Sequence, residues 1–262
     1  MEWVNDFFIR NAELYVKVLS SEAMLKEGEE TAVKLADYLS RRGLRNCRIL
    51  DVGSGIGRVA IPLAKLGFKV IGLDISLDFI NEAIKRAARE GINDNVVFLL
   101  GDARELSSVV KNYAPFNVTL FMFTTVIGYY DYETDISILK QVHDVSEPGS
   151  LLIIDTVDKE YYINNAGKSI INEIGNHLII QRFKLNQALS SVKVDWSYYI
   201  RDKDEYTLRL ITNTQLLLRI YSLSELRELA LRAGWSLIET YSDIGEKPYK
   251  PGGRLFAVFT YT

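Results

Sequence analysis

Two rhythms of apolar residues alternate along the middle of this chain. Short apolar runs of strand length (Ile49-Leu50, Val70–Leu73, Val96–Leu100) are separated by stretches in which apolar residues recur at helical spacing. Between the first two runs stands the turn Gly53-Ser54-Gly55-Ile56-Gly57, after which a helix is expected from about Arg58 to Leu66, with Gly67 at its C′ position. A second helix is expected from the N-cap Ser76 to about Glu90, with Phe79, Ile80, Ala83, Ile84 and Ala87 on one face. Phe116–Met122 and Leu151–Asp155 read as further strands on either side of a helix over Glu133–Ser146. Strands alternating with helices predict a mostly parallel sheet covered on both faces.

The flanks follow different patterns. Met1 to about Arg42 reads as helical, with Ala32, Leu35, Ala36 and Leu39 on one face, and the piece from Trp3 to Tyr15 is rich in aromatics. After Thr156 the chain alternates and is rich in β-formers: His177–Leu185, Val192–Ile200, Tyr206–Thr214 and Leu216–Tyr221, with a charged turn at Arg201–Glu205. These predict an antiparallel insertion. Ser222-Leu223-Ser224-Glu225 is a capping box that opens a helix closed by Gly234, and Trp235–Ser242 with Arg254–Tyr261 forms a terminal hairpin. The expected organisation is one domain: an N-terminal helical cap (1–46), a core (47–156), the β insertion (157–221), and a C-terminal helix and hairpin of the core (222–262).

The glycine turn carries the chemistry. Its glycines let the chain reverse, bring bare backbone against a ligand and present the amides of the following helix. Asp74, at the end of the second strand, is placed to accept two hydrogen bonds from a ribose diol. The spacing Gly53-x-Gly55-x-Gly57 differs from the G-x-G-x-x-G of dinucleotide sites. Asp51, two residues upstream, would repel a pyrophosphate but attract an ammonium. A ligand with a ribose at one end and an amino-acid zwitterion at the other fits S-adenosylmethionine. The stretch resembles the first two motifs of class I S-adenosylmethionine-dependent methyltransferases, D-x-G-x-G-x-G followed by a strand ending in an acid. Gly101-Asp102-Ala103 resembles the third motif. Phe123–Tyr130 resembles the aromatic loop of members acting on small molecules. Asn117, where the family usually has Asp, and Val145 and Ser150 after the next helix are departures.

The resemblance implies a Rossmann-like, doubly wound α/β fold with a mostly parallel seven-stranded sheet in the order 3-2-1-4-5-7-6, and the helical cap and β insertion over the cofactor side. It implies S-adenosylmethionine as cofactor, held by Asp51, Gly53, Ser54, Gly55, Gly57, Asp74, Ile75, Asp102, Ala103 and Phe123. Asp74 would take the ribose, Asp102 the adenine amine, and the amide of Ala103 the ring. Tyr129, whose loop follows strand four, is the candidate catalytic residue at the transferred methyl. His177 is the candidate base should the acceptor be a hydroxyl.

Composition narrows the alternatives. With 262 residues, 48% hydrophobic and 25% charged, the chain has the make-up of a soluble globular protein. A net charge of −3 gives no electrostatic footprint for nucleic acid, so no such partner is expected. No apolar run reaches the ~18 residues that span a bilayer, and the first residues do not read as a signal peptide, so a cytoplasmic location without membrane contact is expected. One cysteine, Cys47, excludes an internal disulfide, and no His/Cys/Asp constellation suggests a metal. There is no Asn/Asp-Pro-Pro-Tyr/Phe after strand four, and Thr124-Thr125 stand where an aminopropyl transferase would want acids. The first reading is N- or O-methylation of a small molecule by in-line displacement. Positioning alone can supply about 7–11 kcal/mol of such a barrier. Two alternatives stay open: a protein or RNA methyltransferase with Arg201–Glu205, Arg209 and Arg219 along a groove, and a non-catalytic S-adenosylmethionine-binding protein. A monomer or a homodimer is expected.

Overall fold

The computed structural model describes residues 2–186, 188, 190–202 and 206–261. The chain opens with α1 (Glu2–Asn5), a π-helical turn (Asp6–Arg10), α2 (Ala12–Leu19) and α3 (Glu22–Arg41). The alternating region is β1 (Arg48–Val52), α4 (Ala60–Lys65), β2 (Lys69–Asp74), α5 (Leu77–Arg89), β3 (Val96–Leu100), α6 (Leu106–Val110), β4 (Phe116–Phe121), α7 (Tyr132–Asp144) and β5 (Ser146–Val157). The insertion comprises α8 (Lys159–Asn165), β6 (Ser169–Ile174), β7 (His177–Asn186), β8 (Ser191–Arg201) and β9 (Leu208–Arg219). Then come α9 (Leu223–Arg232), β10 (Trp235–Asp243), β11 (Lys247–Pro248) and β12 (Arg254–Tyr261).

The larger sheet runs β11-β10-β12-β5-β4-β1-β2-β3. β1 to β5 pair in parallel, β12 is antiparallel to β5, and β10 is antiparallel to β12. This is the expected seven-stranded order with two-residue β11 added at one edge. Alternation of side chains sends neighbours into different cores. Ile49 of β1 packs with Leu35 of α3 and Leu63 of α4, whereas Leu50 and Val52 pack with Leu139 of α7 and Leu229 of α9. Burial on both faces is why β1 reads as a continuous apolar run.

The smaller sheet, β6-β7-β8-β9, is antiparallel throughout. Its Ile179, Trp196 and Tyr198 pack against Ile56 of the glycine turn, Phe79 of α5 and Tyr15 of α2. The insertion therefore lies, with the N-terminal helices, over the carboxyl ends of the parallel strands.

Local differences from the sequence reading have physical causes. The two strands expected at Tyr206–Thr214 and Leu216–Tyr221 are one strand, β9, because Gln215 stays in the ladder opposite Asp195 and donates to its carboxylate at 2.8 Å. β6 shows little alternation because most of its side chains are exposed, and neither it nor α8 was expected. β5 begins earlier than the strand expected at Leu151–Asp155: Glu147–Ser150 lies within it, where the register against β4 slips from Phe116↔Ser146 to Val118↔Leu151. On α7 the buried face is Asp135, Ile136, Ile138, Leu139 and Val142, with Lys140 exposed. Of the charged turn expected at Arg201–Glu205, Lys203, Asp204 and Glu205 lie outside the described residues.

Candidate functional site

The site is built from the carboxyl ends of β1, β2, β3 and β4. After β1 the turn is anchored to β2: the amides of Gly53 and Ser54 donate to the Leu73 carbonyl at 2.8 and 3.0 Å. Gly53 adopts φ +75°, and a Cβ there would lie 2.3 Å from Thr125 Oγ1, so only glycine lets the turn and the β4 loop meet. Asp74 closes β2. Its Oδ2 accepts from Gly55 N and its Oδ1 from Ser76 N, both at 2.8 Å, which fixes the carboxylate plane while each oxygen retains accepting capacity.

Two adjoining cavities flank this carboxylate. One is lined by Leu73, Asp74, Ile75, Asp102, Ala103 and Tyr130 among others. The second is lined by Asp51, Ser54, Gly55, Arg58, Met122 and Phe123 among others. Gly53, Asp74, Thr125, Tyr129 and Phe8 border both. The structure thus brings together ten of the twelve residues singled out from the sequence. Two stand apart. Gly57 lines neither cavity; its missing side chain makes room for Phe98, whose Cζ would lie 2.8 Å from a Cβ. His177 lines neither cavity and is hydrogen-bonded through Nδ1 to the Tyr198 hydroxyl. His177 begins β7 opposite Ile200, at the end of the strand before Ile179, the β7 residue that packs with Ile56 of the glycine turn.

Burial dominates the electrostatics of the two carboxyls at the turn. Asp51 is 2% exposed and has no hydrogen-bond donor among the described residues. Burial, reinforced by the charge of Asp74 and relieved by Arg58, pushes its carboxyl up to about 7. Burial likewise raises Asp74 to about 6, against the amides of Ser76 and Gly55. Ser54 Oγ is also buried without a partner. Burial opposes ionisation of Asp102 as well, but Arg104 outweighs it: its Nε and Nη2 contact Asp102 Oδ2 at 3.0 and 2.6 Å and hold the carboxyl below its ordinary range.

Arg58 was not singled out from the sequence. Its guanidinium lies 4.3 Å over the Phe123 ring and donates to Met24 O at 3.0 Å and Glu27 Oε2 at 3.2 Å. The signal was its place directly after the third glycine, where the chain is still in the turn and α4 has not begun.

The β4 loop is strained. Phe123, Thr124 and Val126 have φ of +59°, +60° and +62°, a region that non-glycine residues, above all β-branched ones, avoid. Asp155 restrains its start, accepting from Phe123 N through Oδ2 at 2.8 Å and from Thr124 N through its carbonyl at 2.9 Å. Arg254 in turn holds Asp155, donating from Nε to Oδ1 at 2.8 Å. The loop delivers Tyr129 to the boundary of the two cavities. Phe8 stacks on it at 5.6 Å and Trp3 meets it edge-on at 5.0 Å.

A family model of a methyltransferase domain matches residues 44–209. The chain belongs to the class I S-adenosylmethionine-dependent methyltransferases. Over 114 residues it is 31% identical to the tRNA 5-carboxymethoxyuridine methyltransferase of Escherichia coli K12, an overlap of 44% of this chain and 41% of that enzyme. A S-adenosylmethionine-dependent methyltransferase of Clostridium acetobutylicum has the same fold, with a TM-score of 0.76, 12% identity and coverage of 96% of this chain and 98% of that one. The CcbJ methyltransferase of Streptomyces caelestis matches with a TM-score of 0.74 at 20% identity, covering 90% of each chain. The cofactor of this methyltransferase family, S-adenosylmethionine, suits the residues present: a donorless buried acid, an unpartnered serine hydroxyl and an oriented carboxylate surround one continuous space. Among the described residues of the methyltransferase, no cluster of His, Cys, Asp and Glu could hold a metal, and no helix is long and apolar enough to cross a membrane.

Proposed function

We propose that this protein methylates a small-molecule acceptor whose nucleophile needs no proton removed by the enzyme, an amine or a carboxylate. The observation that carries the reading is the placement of Tyr129 between the two cavities with Trp3 and Phe8 closed over it. Asp51 would pair with the amino-acid ammonium of the cofactor, Arg58 would face its carboxylate, Asp74 would accept from the ribose diol, and Asp102 with Ala103 would meet the adenine. Gly53, Ser54 and Gly55 would pass along it, and Ile75 and Phe123 would pack against it. Bound S-adenosylmethionine supplies an electrophilic methyl on a sulfonium. The chain's own part is to align the acceptor against Tyr129, exclude water with the aromatic cap and surround the developing charge with fixed dipoles.

No side chain lining the cavities suits the role of general base. Asp51 and Asp74 face the cofactor end, Asp102 is held by Arg104, and burial raises the Tyr129 hydroxyl well above neutrality. An amine or carboxylate acceptor removes the need. The domain, with its helical cap and β lid, acts as one unit, as a monomer or homodimer in the cytoplasm; its charge of −3 supports a small acceptor over a nucleic acid.

Labelled S-adenosylmethionine offered with separate metabolite, RNA and protein pools tests this. Label in the metabolite fraction that partitions as a methylated amine or ester is the expected result. Label released only by ribonuclease, a possibility raised by the tRNA-acting relative, or only by protease would overturn the acceptor reading.

A further inference from the structure

Gly128 ties the strained β4 loop to two other parts of the chain. Its amide donates to Asp135 Oδ2 at 2.9 Å, and its carbonyl accepts from Arg219 N at 2.8 Å. Arg219 ends lid strand β9. Two residues on, the Tyr221 hydroxyl donates to the same Asp135 oxygen at 2.6 Å. Asp135 is fully buried in α7 and Tyr221 is 6% exposed. Gly128 has φ +92°, and a Cβ there would lie 2.4 Å from the Arg219 carbonyl, so the loop and strand are at the closest approach a backbone allows.

A buried carboxylate here is costly. Asp135 Oδ1 has no hydrogen-bond partner among the described residues, and an apolar residue would suit the buried face of α7 better. What the carboxyl group provides is two hydrogen bonds that cross between elements. Apolar packing also joins them, with Val126, Ile127, Ile136 and Tyr221 in one buried cluster, and the two hydrogen bonds add a fixed register to that packing. The left-handed residues of the loop persist only where the surroundings over-determine them.

We propose that Asp135 is a positioning residue that, through Gly128 and Tyr221, couples the loop presenting Tyr129 to the end of the lid, so that loop and lid order as one unit. The proposal rests on the reading of Tyr129 as a wall of the acceptor site. A ligand that orders the lid then also orders Tyr129, and the strain in the loop is held only while the lid is seated.

Hydrogen exchange of the full chain, with and without S-adenosylhomocysteine, tests the coupling. In the unaltered protein the ligand should slow exchange over 123–130 and 208–219 by similar factors. Tyr221→Phe, which keeps the ring and loses the hydroxyl, should leave 208–219 with less than a third of that slowing, while affinity for S-adenosylhomocysteine stays within threefold. Asp135→Leu, which strands the Gly128 amide, should abolish the joint response, and Asp135→Asn, whose side-chain oxygen can accept both bonds, should restore at least half of it. An unchanged joint response in Tyr221→Phe overturns the proposal. So does faster exchange spread evenly over α7 and α9 in all variants, the pattern of a purely structural residue. If the unaltered protein does not bind S-adenosylhomocysteine, the functional reading fails separately. The coupling is then read without ligand, where Tyr221→Phe should speed exchange of both segments together by at least tenfold, and no such change overturns it.

Discussion

Phe8 stacks on Tyr129 with ring centroids 5.6 Å apart and planes inclined by 18°. One ring comes from the π-helical turn near the N-terminus, the other from the β4 loop, and together they roof the space beside Asp74. Such a pair contributes about 0.5–1.5 kcal/mol beyond area burial. Phe8→Ala is expected to speed dissociation of S-adenosylhomocysteine about two- to tenfold in stopped-flow displacement; an unchanged off-rate would show that the cap does not hold the cofactor.

Tyr129 itself is expected to act on transfer more than on cofactor binding. Tyr129→Ala should lower methyl transfer at least tenfold, about 1.4 kcal/mol in the barrier, with S-adenosylhomocysteine affinity within threefold by calorimetry. Full turnover in that variant on the acceptor found by the pool experiment would remove Tyr129 from the site.

Asp74 presents a carboxylate already oriented by two amides. Removing it leaves a ribose diol without its charged acceptor and should cost about 1.5–3 kcal/mol of affinity. Calorimetry on Asp74→Ala reads this directly, and an unchanged dissociation constant contradicts the assignment.

Asp51 gives the binding a pH dependence whose sign follows from its environment. Its carboxyl is raised from the ordinary 3.8 to about 7 by burial and by Asp74, with Arg58 opposing. In the free protein this costs stability as pH climbs from the lower value to the upper, because the unfolded chain ionises first. An ammonium beside Asp51 favours the ionised form, so binding below pH 7 should release a proton. S-adenosylhomocysteine affinity should fall about tenfold for each pH unit below that value. Calorimetry in buffers of different ionisation enthalpy measures the proton, and Asp51→Asn should flatten the profile; a flat profile in the unaltered protein would refute the pairing.

The third glycine should behave unlike the first two. Gly57 has φ +76° and Phe98 where a Cβ would go, but no wall of a cavity. Gly57→Ala is expected to cost about 1–3 kcal/mol of stability in thermal unfolding while folded molecules keep their affinity. A selective loss of affinity would place it in the binding site instead.

Much of this was written in short-range patterns. Asp51, the glycine turn, Asp74 and Gly101–Ala103 follow one another at fixed spacings on strand ends, and that spacing brings them to one rim of the sheet. Ser76 and Ser222 cap α5 and α9 as their local sequences require. What depends on register and long-range pairing was not legible. Asp135 reads as a polar position in an amphipathic helix, and only the fold brings Gly128 and Tyr221 to it, the latter 86 residues away in sequence. His177 reads as a base near the site because alternation cannot say which end of β7 faces the cavity. Arg58 reads as the first residue of a helix because nothing local shows that the turn runs on to Val59.

The lid leaves the core and returns to it at almost one point. The Lys159 amide donates to the Tyr221 carbonyl at 3.1 Å, so some sixty residues of intervening chain begin and end one hydrogen bond apart. Closing so short a gap with a tight turn carries little entropic cost, and excision would remove no strand from the parallel sheet. The segment between Lys159 and Tyr221 can therefore be replaced as a cassette without altering the strand order of the parallel sheet, provided the replacement supplies its own cover for Ile56 and Phe79.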